Sequence, residues 1–179
     1  MREVVLYHLM SLDGVAYEEP GDWLADEGDH LIDYLRQVIA TQDDVLMGRG
    51  NYDYWVKHWP TSDFEPFATF INSVRKHVVT SSALTSEWTN TVVAGTPAID
   101  YVTDLKQRPG GDIGVHGSLE LARSLMHAGL IDRLRLVVAP AIVGRGRRVF
   151  GAEEVVRSWA LTGLEQGRSG TLFLDYTKK

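Results

Sequence analysis

The 179-residue sequence contains no cysteine, which excludes disulfides, thiolate nucleophiles and zinc–thiolate sites. A chain without disulfides suits a reducing cytosol. It also lacks any apolar run long enough to span a bilayer, and the apolar stretch near its start, Val4-Val5-Leu6, is too short for a signal peptide. Positive charge is in deficit. With 18 Lys and Arg against 24 Asp and Glu, the net charge is −6, and no nucleic-acid-binding face is expected. The six histidines are scattered without HExxH-type spacing, so no metal site is expected either. Repeats, low-complexity tracts and domain linkers are missing. What remains is a globular composition, 44% hydrophobic and 23% charged, whose length favours one domain over residues 1–179. The expectation is a soluble cytoplasmic protein acting on a small molecule, with no nucleic-acid or membrane partner.

Periodicity supplies the elements. Val4 to Leu9 reads as a buried strand, and Met10 to Gly28 as a long functional loop. From Asp29 to Ala40, Leu31, Ile32, Leu35, Val38 and Ile39 fall on one helical stripe. Asp44 to Gly48 is a strand, followed by an aromatic segment with Tyr52, Tyr54, Trp55 and Trp59. Helical spacing returns over Phe64 to Val74, Ile99 to Leu105 and Leu119 to Met126, the last ended by Gly129. Strands are expected at 77–80, 91–94, 113–116 and 134–139, and a closing hairpin at 159–165 and 171–176. Strands alternating with helices, then two strands in succession, predict an α/β fold with a mainly parallel sheet and an antiparallel end.

Two strand-to-helix junctions carry the chemistry: Met47-Gly48-Arg49-Gly50-Asn51 and Val115-His116-Gly117-Ser118-Leu119. Each exposes unpaired N–H groups at the positive end of a helix, which suits a phosphate. Two such junctions on one chain suit the two ends of a dinucleotide. A tight turn that only glycine can make is the plainer explanation of each. Arg49, directly after a strand-ending glycine, favours an anion over a surface carboxylate.

In their order along the chain, five pieces resemble the dihydrofolate-reductase-like family, and within it the riboflavin-pathway reductase domain in its small stand-alone bacterial form. They are Ser11-Leu12-Asp13-Gly14, Leu46 to Tyr52, Lys76 to Ser81, Gly110 to Ser118, and Gly129 to Leu136 continuing into Pro140 to Gly146 and Phe150. The resemblance implies a three-layer fold, NADPH as cofactor, a pterin- or pyrimidine-like substrate, and commonly a homodimer. It implies that Gly48, Arg49 and Asn51 approach one phosphate end and that Ser81 and Ser82 meet the 2′-phosphate. It gives His116, Gly117, Ser118 and Leu119 the pyrophosphate turn, and leads the loop from Asp13 through Val15 and Ala16 onto the nicotinamide. Asn51 stands where threonine is usual and His116 where glycine is usual. Val115 stands where the riboflavin-pathway reductases carry an active-site glutamate, so a different or broader substrate set is expected.

Dihydrofolate reductases use a carboxyl near the start of their first helix, which makes Glu27 and Asp29 the catalytic candidates. Asp29 is also the natural N-cap of that helix; Asp26 and Glu27 precede it with no readable direction, and Asp33 points to solvent. Trp23 either closes the loop over a substrate or packs on the core. His8 is expected as a satisfied core residue; Arg145, Arg147 and Arg148 suit an anionic substrate, with a solvated hairpin or a subunit contact as the plainer and preferred explanation. The expected function is an NADPH-dependent reductase; the alternatives are a non-catalytic NADP(H)-binding module with the same fold and an unrelated α/β phosphate binder.

Overall fold

The computed structural model describes residues 1–17, 23–24, 26–94, 97–151 and 156–179. The strands are β1 (Val4–Ser11), β2 (Gln42–Gly48), β3 (Arg75–Val79), β4 (Thr91–Ala94), β5 (Asp112–His116), β6 (Arg133–Ala139), β7 (Trp159–Gln166) and β8 (Leu172–Lys178). The helices are α1 (Asp29–Ile39), α2 (Arg49–His58), α3 (Phe67–Ser73), α4 (Ala98–Gln107) and α5 (Leu119–His127). All eight strands form one sheet in the order β4-β3-β2-β5-β1-β6-β8-β7. The first six strands in sequence pair in parallel, and β8 and β7 close the sheet antiparallel, as the sequence pattern predicts.

Connection handedness distributes the helices. The steps β1→β2 and β2→β3 move toward the β4 edge, whereas β4→β5 and β5→β6 move toward the β7 edge. Right-handed crossovers therefore place α1–α3 on one face and α4–α5 on the other. The core divides accordingly. Tyr7, Val45, Met47 and Val78 pack with Tyr34, Leu35, Tyr52, Phe67 and Ile71 on the first face. Leu6, Leu46, Ile113 and Val115 pack with Val102, Leu105, Leu121 and Leu125 on the second. Val115 is thus part of the apolar packing beneath α4 and α5.

Local differences from the sequence expectation have local causes. The aromatic segment after Gly48 is helix α2, whose Tyr52 is buried while Tyr54 is exposed. Helix α3 starts at Phe67 rather than Phe64, with Pro66 at its N-cap. Gly28, at φ 55°, occupies the N-cap position of α1 that the sequence suggested for Asp29, and no side chain caps the helix. Asp29 is an exposed first-turn residue whose charge suits the positive end of the helix.

Lys76 is fully buried beside the end of α3, where its ammonium donates to Ile71 O at 2.8 Å and Val74 O at 2.8 Å. It also lies 4.7 Å from the centre of the Trp88 ring. Burial pulls its pKa down to about 8. The folded state then releases the proton before the unfolded state does, so this group adds stability as pH rises from about 8 toward the unfolded lysine value. We expect the stability difference between wild type and Lys76→Met, followed by urea unfolding from pH 7 to 10, to move in favour of wild type with rising pH. A difference independent of pH would show that Lys76 titrates as an ordinary lysine.

Candidate functional site

Strands β2 and β5 are neighbours, but the chain leaves β2 toward one edge and β5 toward the other. A crevice between carboxyl ends at such a switch point is the usual ligand position in an open α/β sheet. Both glycine junctions lie there and are joined directly. The Gly48 N–H donates to Ser118 Oγ at 3.0 Å, and Asn51 Nδ2 donates to His116 O at 3.2 Å. Gly117 has φ 67°, and a Cβ on it would stand 2.9 Å from Asn51 Oδ1, so a glycine is required where the two turns touch. Ser118, left-handed at φ 40°, is the N-cap of α5, but its hydroxyl accepts from Gly48 instead of capping its own helix. Neither α2 nor α5 has a side-chain cap, which leaves two sets of first-turn N–H groups side by side.

Arg49 extends this edge. Its Nε donates to Asp53 Oδ2 at 2.7 Å, and its Nη1 donates to Ser82 Oγ at 2.9 Å and Ala83 O at 2.7 Å. The carboxylate partner that the sequence left as the lesser explanation is therefore present, one helical turn away at Asp53. The same contacts hold the guanidinium over the exposed Ser81–Ser82 loop after β3.

The Asp13 loop forms the opposite wall. The Asp13 carboxylate accepts from Ser11 Oγ at 2.6 Å, Val143 N at 3.1 Å and Gly144 N at 2.9 Å, and these bonds lower its pKa to about 2. Arg148 donates to the Asp13 carbonyl. Ala16 packs with Leu119 and Val149, tying the loop to the start of α5. The Val15 N–H donates to Ser11 Oγ at 3.0 Å and the Ala16 N–H to Arg147 O at 2.8 Å. The N–H groups of these two residues, on the loop expected to lead onto a nicotinamide, thus have partners inside the protein. The Trp23 ring lies 5.4 Å from the Tyr17 ring, edge to face.

His116 departs from the expectation in its side chain. The imidazole turns away from the junction into the core, between Tyr7, Phe67 and Phe70, leaving only the backbone at the turn. Its Nε2 lies 2.7 Å from Gln42 Oε1, and the Gln42 amide donates to Val38 O at 3.0 Å, so Nε2 carries the proton. Burial, with a smaller contribution from His8, pulls the His116 pKa down to about 3, and the ring is neutral. Gly114 makes this contact possible, because a Cβ there would collide with the Gln42 amide. His8 is buried, as expected, with Nδ1 2.9 Å from Leu9 O.

The carboxyl candidates fall into different environments. Asp26 accepts from Gly28 N at 2.8 Å in an exposed turn, and Asp33 pairs with Arg36 at 2.8 Å in solvent. Glu27 is only 1% exposed and inserts into the β7–β8 turn, where Ser169 N donates to its Oε1 at 3.3 Å. Burial pushes its pKa up, but the polar groups of the turn, at Thr171, Ser169 and Arg168, outweigh this and leave it below the ordinary glutamate value, while its buried Oε2 has no donor within hydrogen-bond distance among the described residues. Gly167 allows this approach, since a Cβ there would collide with the carboxylate. This is the setting of an ionised anchor for a turn rather than of a poised acid. The glycines of the hairpin were visible in the sequence; nothing there linked them to a residue so far away along the chain.

Among the described residues, no helix is long and apolar enough to cross a membrane, and no group of three or more acidic or histidine side chains is placed to hold a metal. The family model for the RibD C-terminal domain matches residues 2–173. The protein YyaP of Bacillus subtilis (strain 168) is 27% identical over 157 residues, covering 83% of this chain and 80% of YyaP. A pyrimidine reductase-like protein from Corynebacterium diphtheriae superposes with a TM-score of 0.67 at 15% identity, covering 99% of this chain and 92% of that one. Dihydrofolate reductase from Enterococcus faecalis, in a complex with NADP(H), gives a TM-score of 0.67 at 12% identity, covering 99% and 96%. The three-layer fold is dihydrofolate-reductase-like.

The Glu27 contacts have a measurable consequence. A carboxyl whose pKa is lower in the folded state contributes stability above the unfolded value, and loses it as pH falls through the folded one. We expect Glu27→Gln to melt below wild type at pH 7 and the gap to narrow on acidification. Equal melting temperatures at pH 7 would remove the anchoring role.

Proposed function

The chain belongs to the RibD C-terminal domain family, and from that premise we propose that it is an NADPH-dependent reductase transferring a hydride to a pterin- or pyrimidine-like small molecule. It acts as a single domain, in the cytoplasm and as a homodimer. The observation that carries this reading is the joining of two uncapped helix starts at the β2–β5 switch point. NADPH, when bound, supplies the hydride.

The residues fit such a cofactor. Gly117 leaves room for close backbone approach, and the N–H groups opening α5, from Ser118 and Leu119 onward, suit a pyrophosphate. Gly48, Arg49 and Asn51 hold the neighbouring phosphate end. Ser81 and Ser82 offer hydroxyls for a 2′-phosphate, and Arg49, already resting on that loop, supplies its positive charge. The Asp13–Ala16 loop forms a fixed wall that orients the nicotinamide and excludes water. Glu27 stays a carboxylate and Asp29 is solvated, so we assign proton delivery to a bound water.

A second reading, a non-catalytic NADP(H)-binding module, is favoured by one observation: neither carboxyl candidate is set up as an acid. Fluorescence titration with NADPH, followed by an assay of NADPH oxidation with dihydrofolate or a related pterin, separates the two. We expect binding and turnover. We also expect Arg49→Ala to weaken NADPH by about tenfold while changing NADH less, and Gly117→Ala to abolish binding of both. Binding without turnover on pterin or pyrimidine substrates selects the second reading. Failure to bind any dinucleotide overturns both.

A further inference from the structure

A polar cavity of about 490 Å³ opens at the end of the sheet opposite the crevice, where β2 and β3 begin. The C-terminal ends of α3 and α4, on opposite faces, bring Ser73 and Arg108 to its rim. The seven residues of β2 separate it from the Gly48 turn, roughly 20 Å at the rise of a strand. Its floor is a fixed ionic network, with the Arg2 and Asp44 side chains only 4% and 6% exposed. Arg2 donates through Nε to Gly111 O at 2.6 Å, through Nη1 to Asp44 Oδ2 at 2.6 Å, and through Nη2 to Asp43 Oδ1. His77 Nε2 donates to the other Asp44 oxygen at 2.9 Å, and the Gly111 N–H to the other Asp43 oxygen at 2.7 Å. Every carboxylate oxygen of the floor thus has its donor inside the protein.

The mouth is different. Arg75 makes no hydrogen bond among the described residues, and its Nε comes only within 4.0 Å of Asp44 Oδ1. Arg108 places Nε and Nη2 on Asp104, one helical turn away, at 3.2 and 2.6 Å. Such an exposed pair adds little stability and gives way readily to a competitor. Both cations act on the same Tyr101 hydroxyl, and the Arg108 guanidinium lies 5.9 Å from the Tyr101 ring centre, so the two converge on one part of the rim. Phe70, Val74 and Leu105 add an apolar wall.

We propose that this cavity is a second ligand site, for a small organic anion whose carboxylate or phosphate lies between Arg75 and Arg108 and whose flat body rests on the Phe70–Val74–Leu105 wall. The unspent groups at the mouth are donors, so the ligand must bring the acceptors, and planar guanidinium forks fit carboxylate and phosphate oxygens. A cation would find no carboxylate oxygen on the floor without a donor already in place. The volume is that of a small-molecule site, with room for more than an inorganic ion. A cationic mouth also runs against the net charge of −6 of the chain. None of the lining residues belongs to the crevice, so the site stands apart from the cofactor reading.

Calorimetric titration of the full chain with phenyl phosphate and with benzoate, against inorganic phosphate, tests the site. We expect saturable one-to-one binding of at least one organic probe, tighter than that of inorganic phosphate and weakened by added salt. The tighter of the two probes names the head group. Arg75→Gln and Arg108→Gln are each expected to weaken binding about tenfold or more, the loss of a charge-assisted contact. Both side chains are exposed, so melting temperatures are expected to stay near wild type. Arg75→Lys, which keeps the charge but loses the fork, is expected to fall between wild type and Arg75→Gln. In amide NMR spectra the bound probe is expected to move the signals of Arg75, Asn90 and Arg108. Movement at Gly48, Gly117 and Ser118 instead would put the anion in the crevice and overturn the second site. Binding indifferent to both arginine variants, or no saturable binding of either organic probe, overturns it as well. Inorganic phosphate binding as tightly as both organic probes overturns the organic class of the ligand.

Discussion

Strands β2 and β5 share hydrogen bonds along their length, yet the chain leaves them in opposite directions, to opposite faces of the sheet. That topology brings two helix starts together at one edge, and the bond from Gly48 N–H to Ser118 Oγ sets their spacing. The rest of the site is arranged around this contact. Gly117 must be small because Asn51 crosses toward His116 O, Ser118 adopts a left-handed backbone, and Leu119 turns inward to meet Ala16 and Val149. The Asp13 loop is therefore fixed to the same helix start as the phosphate turn. One hydrogen bond between remote turns couples both walls of the cleft.

The sequence made the layers legible because periodicity is a local property. The stripe from Leu31 to Ile39 and the largely apolar run from Leu134 to Ala139, with Val137 and Val138 branched at Cβ, mark their elements without reference to anything else, and the alternation of strand and helix then limits the topology. The junction glycines were legible for a similar reason, since glycine before a helical pattern is a local signature. Side-chain direction was not. His116 follows the pleat inward, to a partner at Gln42, and only the size of Gly114 permits that meeting. Asp29 looked like a cap because of its residue type, but Gly28 takes the cap position through its backbone. Glu27 precedes its helix, where no periodicity applies, and its environment is supplied by a turn at the other end of the chain. Whatever depends on contacts between distant segments lay beyond a local reading.

An acidic chain must still make room for an anionic ligand, and the handling of its carboxylates shows how this is done. Asp13 is held by the N–H groups of Val143 and Gly144, and Glu27 by those of the β7–β8 turn. In both, hydrogen bonding keeps the pKa below its usual value, so the negative charge is permanent and locally compensated. Backbone N–H groups are the anion-binding device of this fold, used twice for its own side chains. At the β2–β5 edge the same device recurs without a side-chain partner, because Ser118 turns its hydroxyl to Gly48 and α2 opens on glycine. A carboxylate there would have satisfied those groups and closed the site. No side chain caps either helix start, and the one first-turn carboxylate there, Glu120 of α5, is exposed, so the N–H groups of both starts stay open to a ligand. The acidic residues that the fold fixes are part of the same arrangement: Glu27 is held in the β7–β8 turn and the Asp13 carboxylate by the Val143 and Gly144 N–H groups, so neither takes the donors of the two helix starts.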